Sequence, residues 1–381
     1  MNIGMMSAWN QDSGVSIHAE LIGREWVKMG HKLSVFSFFK TDFDGTAIVG
    51  KDEDYVTQCF TTSQAESPFL NVHPILKKDY DIFITQDLGM LPQDELAKIF
   101  NHIKRRAKTV TIIHHNQLPS EPSFYQFDWD AIVCFDDRYY NFLHKVFSKE
   151  KLHIIPFPCY PRRYGDKFKA REKLGLPQDR YILLIFGQRA VKESLELFHI
   201  LERVSRYLPI LILVVSKRAL ELVREFKGNL EILIKNEAPN MERLYSYLHA
   251  SDILLYHRTA PLGAVVSSTA YQCLGSGCPI LALKSNYFYN MDGMVITYTN
   301  PEEFETNLRE ILNRGPRYYK WQKTLEDFLN RNSASFIANQ YIKLFNLLLE
   351  EKAVEGRDAL KQIPKMELSL VDSIQSTASL S

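Results

Sequence analysis

The chain has 381 residues, of which 45% are hydrophobic and 24% are charged. This length exceeds what one hydrophobic core usually fills, so it predicts two domains of about 150 residues each. The 46 basic and 45 acidic residues give a net charge of +1. A nearly neutral chain has no overall positive electrostatic field to attract nucleic acid, so we do not expect a nucleic-acid partner.

The cysteines and the chain start indicate a cytoplasmic protein. No spacing among the cysteines is typical of a metal site, and the number is odd: Cys59, Cys134, Cys159, Cys273 and Cys278. Reduced thiols explain this usage best. Met1 leads directly into a strand-like apolar segment, which predicts no signal peptide. Because no stretch reaches 18 apolar residues, we expect no membrane-spanning helix.

Strand and helix patterns alternate in chain order through the first half. Strands are predicted at 2–8 and 32–36, with a helix between them whose apolar residues recur at helical spacing. Further strands are predicted at 81–85, 109–113 and 131–135, and a helix at 93–105. This alternation favours a parallel, doubly wound sheet. The proline-rich segment IIPFPCYP at 154–161 then predicts a domain boundary.

The same pattern restarts after that boundary. Strands are predicted at 181–186, 210–215, 230–234 and 253–256, with helices from about 192, over 240–249, from 301 and over 321–349. We therefore predict an α/β fold with doubly wound domains at 1–160 and 161–320, and a ligand cleft between the carboxyl ends of their sheets. Helices over 321–350 are expected to cross back to the first domain, and the polar segment 351–381 to be a mobile tail.

The segment 250–282 combines a strand, a turn and a helix start. Its apolar run leads into a turn with Gly263, and Ser267, Ser268 and Thr269 then begin a predicted helix. Free N–H groups at a helix start and the positive end of the helix dipole suit a phosphate group. Ordinary capping of a helix by serine or threonine gives the same pattern.

A glycine and two cations follow the strand predicted at 181–186, as Gly187, Arg189 and Lys192. Cations there suit a departing diphosphate, whose negative charge grows as its bond to the transferred group breaks. Cations oppose the dipole at a helix N-terminus. The pair therefore favours a nearby anion over two merely solvated side chains.

His114 and His115 follow the strand predicted at 109–113. We expect one of them to point into the cleft, where it can bind a sugar hydroxyl or orient a reacting group; a structural role stays open for either. Gly14 lies in the first β-to-α turn, where an NAD-type site needs G-x-G-x-x-G. This loop has a single glycine, which argues against an NAD site. Two roles for Gly14 stay open: a backbone contact to a ligand phosphate, or a plain tight turn.

Asp128-Trp129-Asp130 has the D-x-D spacing that some sugar-transfer enzymes use for a divalent metal. The motif precedes the strand at 131–135, at its amino end, so we predict a strand-entry role and no metal. Asp136 and Asp137 are expected to cap a helix. The basic runs at 104–108 and 162–163 suit anionic lipid or an acidic acceptor, or are solvated helix ends.

Taken in this order, these residues resemble the retaining GT-B glycosyltransferases, especially the large family 4 that includes bacterial mannosyl- and glucosyltransferases. The resemblance covers roughly residues 1–350 and rests most on Gly14-Val15-Ser16, Gly30-His31, Ile155-Pro156, Gly187 to Lys192, Ala250-Ser251-Asp252 and Leu274 to Pro279. It implies a GT-B fold of two Rossmann-like domains, the first on the acceptor side and the second on the donor side.

The resemblance implies a metal-independent hexosyltransferase of carbohydrate biosynthesis, without a cofactor, that passes a sugar from a nucleotide-diphosphate sugar to a hydroxyl with retention. The expected acceptor is a glycan, a lipid or a small molecule. The protein is expected in the cytoplasm, and peripheral contact with a membrane surface stays open. Arg189 and Lys192 are then expected at the diphosphate, and His114 or His115 at the sugar. The other residues expected at the donor are Gly14, Gly187, Lys235, Asn236, Gly263, Ala264, Ser267, Ser268, Thr269 and Gln272.

One departure from the family concerns two glutamates separated by seven residues, which hold the donor sugar and the ribose. Those places carry Ala264 and Gln272, and no acidic residue occurs over 253–290. Gln272 retains the capacity to hydrogen-bond ribose. Two other functions stay open: a nucleotide-sugar-binding protein without transferase activity, and a GT-B-shaped nucleotide-sugar epimerase, for which no acid/base carboxylate is evident in the cleft.

Overall fold

The computed structural model describes residues 1–42, 49–63, 65–224, 226, 228–291 and 293–361, with side chains to residue 352. Its strands form two parallel sheets. The first sheet contains β1 (Asn2–Met6), β2 (Lys32–Phe38), β3 (Val56–Phe60), β4 (Ile82–Gln86), β5 (Lys108–Ile112), β6 (Ala131–Cys134) and β7 (Leu152–Ile154). The second contains β8 (Tyr181–Phe186), β9 (Ile210–Val215), β10 (Ile232–Lys235), β11 (Ile253–Tyr256), β12 (Ile280–Leu283) and β13 (Val295–Tyr298).

Helices alternate with these strands along the chain. Their bounds are α1 (Gly14–Lys28), α2 (His73–Leu76), α3 (Gln93–Arg106), α4 (Asp137–Leu143), α5 (Lys167–Leu174), α6 (Gln188–Ser194), α7 (Phe198–Ser205), α8 (Ala219–Val223), α9 (Met241–Ala250), α10 (Ser268–Leu274), α11 (Pro301–Leu312), α12 (Pro316–Arg331) and α13 (Ala334–Lys361). Short 3₁₀ turns join several of them, including Leu195–Leu197 between α6 and α7.

The strand orders confirm the predicted α/β fold with two doubly wound sheets. The first sheet runs β3-β2-β1-β4-β5-β6-β7, and the second runs β10-β9-β8-β11-β12-β13. Strand order therefore reverses beside β1 in one sheet and beside β8 in the other. In such sheets, ligands bind beyond the carboxyl ends of the strands at the point of reversal. The loops after β1, β4, β8 and β11 are consequently the ones that matter for a site.

Burial explains why the central strands were predictable. All six residues of β9 are buried, as are the inner four of β8, and a parallel strand covered on both faces reads as a continuous apolar run. The observed bounds of β8, β9 and β11 match the predicted ones. The strands β3, β7, β12 and β13 were not predicted. Only two residues of β3 are buried, and the other three strands have three or four residues each.

Helix α1 shows how local sequence sets the first turn. Ser13 is its N-cap, and the Ser13 side chain accepts a hydrogen bond from the Ser16 N–H. Its apolar residues, among them Ala19, Ile22 and Trp26, are fully buried against the sheet, as expected for a stripe at helical spacing. The Trp26 indole N–H donates to the Ala338 carbonyl at 3.1 Å, which ties α1 to the start of α13.

The carboxyl-terminal helices extend further than the sequence indicated. Both sheets lie within a unit of Met1–Gln340, and a second unit begins at Tyr341. Helix α13 continues to Lys361, into the segment predicted to be a mobile tail. The rest of that predicted tail, 362–381, lies outside the described residues. The domain bounds at 160 and 320 stay a prediction.

Two histidine rings meet at the carboxyl end of β4, the buried His18 and the half-buried His114. His18 Nδ1 lies 3.0 Å and His114 Nε2 lies 2.9 Å from the same atom, Gln86 Oε1. The His18 ring also packs on Phe135 and Phe157, with centroids 5.1 Å and 5.2 Å away. Burial lowers the pKa of His18 to about 3, against a smaller raising effect of Gln86. Burial and the neighbouring His18 also lower the pKa of His114.

These lowered pKa values predict a loss of stability in mild acid. Below the unfolded-state pKa of about 6.5, the unfolded chain binds a proton that the buried imidazole does not, so stability falls as pH falls from about 6.5 towards 3. Between pH 7.5 and 5.5 the buried His18 should cost about 1.4 kcal/mol of stability. Urea unfolding should therefore show a drop about 1.4 kcal/mol smaller in His18→Asn than in the original chain; equal drops would contradict this account.

Candidate functional site

The loop between β11 and α10 reaches across to the first sheet. Asn116, which follows β5, donates from Nδ2 to the Leu262 carbonyl at 2.7 Å. The Asn116 carbonyl in turn accepts from the Ala264 N–H at 2.8 Å. These two hydrogen bonds join the carboxyl ends of β5 and β11. They also occupy the Ala264 amide, one of the groups expected at a donor phosphate.

Gly263 makes this close approach feasible. Its φ is +90°, and a Cβ added at this position would lie 2.2 Å from the Asn116 carbonyl oxygen. Only glycine adopts such a conformation readily and leaves room for the opposing backbone. In this structure the role of Gly263 is thus to let two loops meet.

Arg138 makes a second connection between the sheets. This residue of α4 donates to the Val265 carbonyl at 2.9 Å and to the Asn286 carbonyl at 2.7 Å. Its guanidinium also pairs with Asp136 at 2.7 Å. Asp136 is the N-cap of α4, as predicted, and accepts from the Arg138 N–H. A buried carboxylate therefore aims Arg138 at the β11–α10 loop.

The cations after β8 require a correction. A helix was predicted from about Lys192, but α6 begins at Gln188. Lys192 therefore lies in the last turn, where a helix dipole favours a cation, and only Arg189 lies near the start. The Arg189 side chain is 65% exposed and its Nε lies 3.1 Å from Glu193. Glu193 thus supplies the countercharge for which the sequence had suggested a bound anion.

Glu193 also anchors the β11–α10 loop. Its Oε2 accepts from the Thr259 N–H at 2.6 Å and from the Thr259 hydroxyl at 2.9 Å. These hydrogen bonds, together with Arg189 and Arg258, offset the effect of burial and lower the pKa of Glu193. A carboxylate that the loop's own sequence lacks is therefore brought to the loop from α6. Arg189 is thus linked through Glu193 to Thr259, which lies four residues before Gly263.

The predicted helix start at Ser267 is confirmed. Ser267 caps α10, and its Oγ accepts from the Ala270 N–H. The N–H groups of Ser268 and Thr269 have no hydrogen-bond partner among the described residues. Ser268 also meets the first helix of the other sheet, because a Cβ added to Gly14 would lie 3.1 Å from Ser268 Oγ. The starts of α1 and α10 therefore face each other.

Gln272, one turn further along α10, lines a cavity between the two sheets. The cavity measures about 70 Å³ and is lined from one side by Gln11 and Asp12 and from the other by Phe186, Met241 and Gln272. Gln272 Nε2 lies 2.8 Å from Met241 Sδ. Burial raises the pKa of Asp12, while the charge of Lys217 lowers it. Residues from both sheets therefore interact across this cavity.

The remaining predicted donor residues lie along the same edge of the second sheet. Gly187 has a φ of +90°, a Cβ added to it would meet nothing described within 4 Å, and its N–H donates to Val215. Lys235 ends β10, and Asn236 follows it with an exposed side chain. Both precede α9, which begins at Met241 beside Gln272.

The two consecutive histidines point in different directions. The His114 ring packs inward against Gln86 and Phe135. His115 instead lines a larger cavity of about 570 Å³ formed by loops of the first sheet. His115 Nδ1 lies 3.1 Å from Asp87 Oδ1. Of the two candidates, His115 is thus the one whose ring reaches a cavity.

Other candidate groups already have partners inside the protein. Asp128 of the D-x-D motif pairs with Lys104 and Lys151, and Asp130 accepts from the Thr109 N–H and hydroxyl. The described part of the chain contains no group of three or more His, Cys, Asp or Glu placed to hold a metal ion. No described helix has both the length and the apolar character needed to cross a bilayer. The five cysteines are buried and unpaired.

Asn116, Arg138 and Glu193 were not anticipated from the sequence. Each follows a strand of its sheet, which was a usable signal for Asn116 and Arg138, since both come within five residues of a predicted strand end. Glu193 carries no such signal, because it lies inside α6, seven residues after the end of β8. The partners of all three are distant in sequence, so only the fold could identify them.

Comparison with known proteins shows similarity at the level of fold. No protein-family model matches the chain. Among solved structures, sucrose-phosphate synthase from Thermosynechococcus elongatus superposes with a TM-score of 0.63 and 14% identity over 92% of this chain and 100% of that one. Anabaena HepE in complex with UDP and glucose gives 0.62 and 14% over 91% and 99%. The catalytic domain of Arabidopsis thaliana starch synthase IV, bound to ADP and acarbose, gives 0.63 and 12% over 92% and 99%. These neighbours confirm the GT-B fold.

Because of the close contact at Gly263, one methyl group added there should strongly destabilise the protein. Gly263→Ala should cost the strain of a positive φ, about 1–2 kcal/mol, and in addition displace the Asn116 backbone. Gly30→Ala is the matched control, because Gly30 has a φ of +86° and nothing described within 4 Å of an added Cβ. Urea unfolding should show a clearly larger loss for Gly263→Ala; the same loss in both variants would mean that the contact carries no free energy.

Proposed function

We propose that the protein is a glycosyltransferase that moves a sugar from a nucleotide-diphosphate sugar to a hydroxyl of an acceptor. The observation that carries this proposal is the set of groups at the interface of the two sheets. The starts of α1 and α10 meet at Gly14 and Ser268, and Gln272 lines a cavity with the loop after β1. This is the place where a doubly wound fold binds its ligand.

The diphosphate is assigned to the edge formed by α6 and α10. The N–H groups of Ser268 and Thr269, which have no partner among the described residues, and the turn at Gly14 offer backbone donors. Gly187, at the start of α6, has open space where a side chain would be. Arg189 and Lys192 supply positive charge that stabilises the leaving group as the bond to the sugar breaks. Glu193 holds Arg189 in orientation.

The nucleoside is assigned to the cavity at Gln272. This side chain is an amide and can both donate to and accept from ribose hydroxyls. Met241 lies against it, and Lys235 and Asn236 at the end of β10 are close enough in sequence to contact a base held there. Ligand pockets generally measure about 300–1,000 Å³. Because the present cavity is about 70 Å³, nucleotide binding requires the cleft to widen.

The structural neighbours support the same class of donor. One of them is described in complex with UDP and glucose, and another is bound to ADP and acarbose. At 12–14% identity these proteins share the fold with this chain, so the donor base and sugar are open. Retention of configuration, independence from metal, transfer of a hexose and membership of family 4 belong to the proposal through the resemblance of the sequence. The proposal also includes a cytoplasmic location with peripheral contact to a membrane.

One observation favours a binding protein without transferase activity as the second candidate. The place of the sugar-binding glutamate holds Ala264, which is buried and bonded to Asn116. Arg189 is already paired with Glu193. If the donor sugar finds no substitute for the missing carboxylate, the cleft binds a nucleotide sugar without transferring the sugar.

Replacing Arg189 tests the leaving-group assignment. Arg189→Ala should lower the rate of nucleotide release from UDP-, ADP- or GDP-sugars at least about 100-fold, the scale for loss of one transition-state donor, and leave the unfolding midpoint unchanged. Arg203→Ala is the matched control, since Arg203 is another exposed arginine paired with a glutamate, Glu305. Full activity in Arg189→Ala would remove this residue from the mechanism. Nucleotide binding without release in every protein would favour the binding protein.

Replacing Gln272 tests the ribose assignment. Gln272→Ala should weaken binding of the preferred nucleoside diphosphate about tenfold, because one or two hydrogen bonds are lost. Isothermal titration gives the dissociation constant directly. Gln178→Ala, at an exposed position before the amino end of β8 and thus at the opposite edge of the sheet, should bind as the original chain does. Unchanged affinity in Gln272→Ala would place the nucleoside elsewhere.

A further inference from the structure

The cavity of about 570 Å³ beside His115 lies outside the proposed donor cleft and within the size range of ligand pockets. The loops after β3, β4 and β5 form it, represented by Ser63, Gly89 and His115. All of these loops emerge from the carboxyl edge of the first sheet. The cavity therefore lies at the ligand-binding edge of that sheet.

The cavity adjoins the donor side through a single residue. Asn116 directly follows His115 and is the residue that bonds to Leu262 and Ala264 on the loop before α10. A molecule beside His115 is thus one residue away from the interface of the two sheets. That position suits the second substrate of a transfer reaction.

The wall of the cavity carries hydrogen-bonding groups suited to hydroxyls. His115 lies between Phe124, with ring centroids 5.4 Å apart, and Gly89, where an added Cβ would lie 2.3 Å from Nε2. Asp87 Oδ1 lies 3.1 Å from the other ring nitrogen, Nδ1, and neither atom has a hydrogen-bond partner among the described residues. Ser63 Oγ donates to the Gly89 carbonyl at 2.7 Å and fixes the opposite loop.

The charged side chains that line the cavity are carboxylates. Asp94, Glu95 and Glu121 line it, and none of its described lining residues is a lysine or arginine. Lys98 balances Glu95 at 2.5 Å, whereas Asp94 and Glu121 have no cationic partner among the described residues. The start of α3 would otherwise attract an anion, but its own first turn carries Asp94 and Glu95, which satisfy the helix dipole.

We propose that this cavity is the acceptor site and that it selects an uncharged or amino-substituted polyhydroxyl compound over a phosphorylated or carboxylated one. The proposal rests on the proposed function for the role of acceptor. The carboxylates repel an anionic acceptor and attract an ammonium group, while His115 offers a hydrogen bond to a hydroxyl. Asp94 and Glu121 are the exposed members of the set. Glu121 lies outside helix α3, so substitution can reverse its charge with the least effect on the fold.

Binding of three probe sugars to the full chain tests this selectivity without requiring turnover. Saturation-transfer NMR titrations would use methyl α-D-glucopyranoside, glucosamine and glucose 6-phosphate. We expect the phosphate to bind at least about fivefold more weakly than the other two, which is the effect of a like charge near the site. Glu121→Lys should reduce or reverse this difference in affinity. Glu150→Lys, an exposed change before β7 at the amino edge of the sheet, should leave the order unchanged.

The outcomes separate this inference from the proposed function. Glucose 6-phosphate binding as tightly as glucosamine, no binding of any probe, or an identical response of Glu121→Lys and Glu150→Lys would each overturn the inference. Thermal shifts with UDP, ADP and GDP report on the donor cleft independently. No shift with any nucleotide would count against the proposed function, whereas nucleotide shifts combined with a failed probe series would reject only the acceptor assignment.

Discussion

The site depends on the backbone contact between Asn116 and the loop around Gly263. Two hydrogen bonds, at 2.7 Å and 2.8 Å, hold the carboxyl ends of β5 and β11 together. A side chain at Gly263 would occupy the space of the Asn116 carbonyl. Together with the hydrogen bond from Arg138 to the Val265 carbonyl, this contact fixes the loop before α10 relative to the first sheet and so sets the geometry of the candidate site.

Polar groups extend from this contact in both directions. On the donor side, Thr259 is held by Glu193, which also orients Arg189. On the other side, His115 lies next to Asn116, and its Nδ1 is 3.1 Å from Asp87 Oδ1. The charges at the two ends differ, since cations belong to the α6 edge and carboxylates to the cavity beside His115. This separation suits a reaction in which an anionic leaving group departs from one end and a hydroxyl arrives from the other.

The sequence predicted the fold through its buried strands and failed where short or half-exposed strands left little pattern. The runs of β8, β9 and β11 are apolar throughout, so their bounds were recognised, whereas β3 and β7 were not. The helix start at Ser267 was predictable because capping is local. The start of α6 was misplaced by four residues, because the apolar spacing that marked a helix begins only further along the chain, in α7.

The functional side chains were predictable only in part, for a physical reason. Residue types at strand ends indicated His115 and Arg189, and the family resemblance indicated Gln272, but the sequence could not tell which of two adjacent histidines faces inward. That direction is set by packing of His114 against Gln86 and Phe135. The carboxylate that accepts hydrogen bonds from Thr259 could not be predicted either, because it belongs to Glu193, in another element 66 residues away.

A structure of the full chain crystallised with UDP, ADP or GDP tests the central claim most directly. The account predicts a nucleoside diphosphate between the two sheets, with its phosphates at Ser268 and Arg189 and its ribose at Gln272. A nucleotide bound beside His115 instead, or on a surface away from both sheets' carboxyl edges, would contradict it.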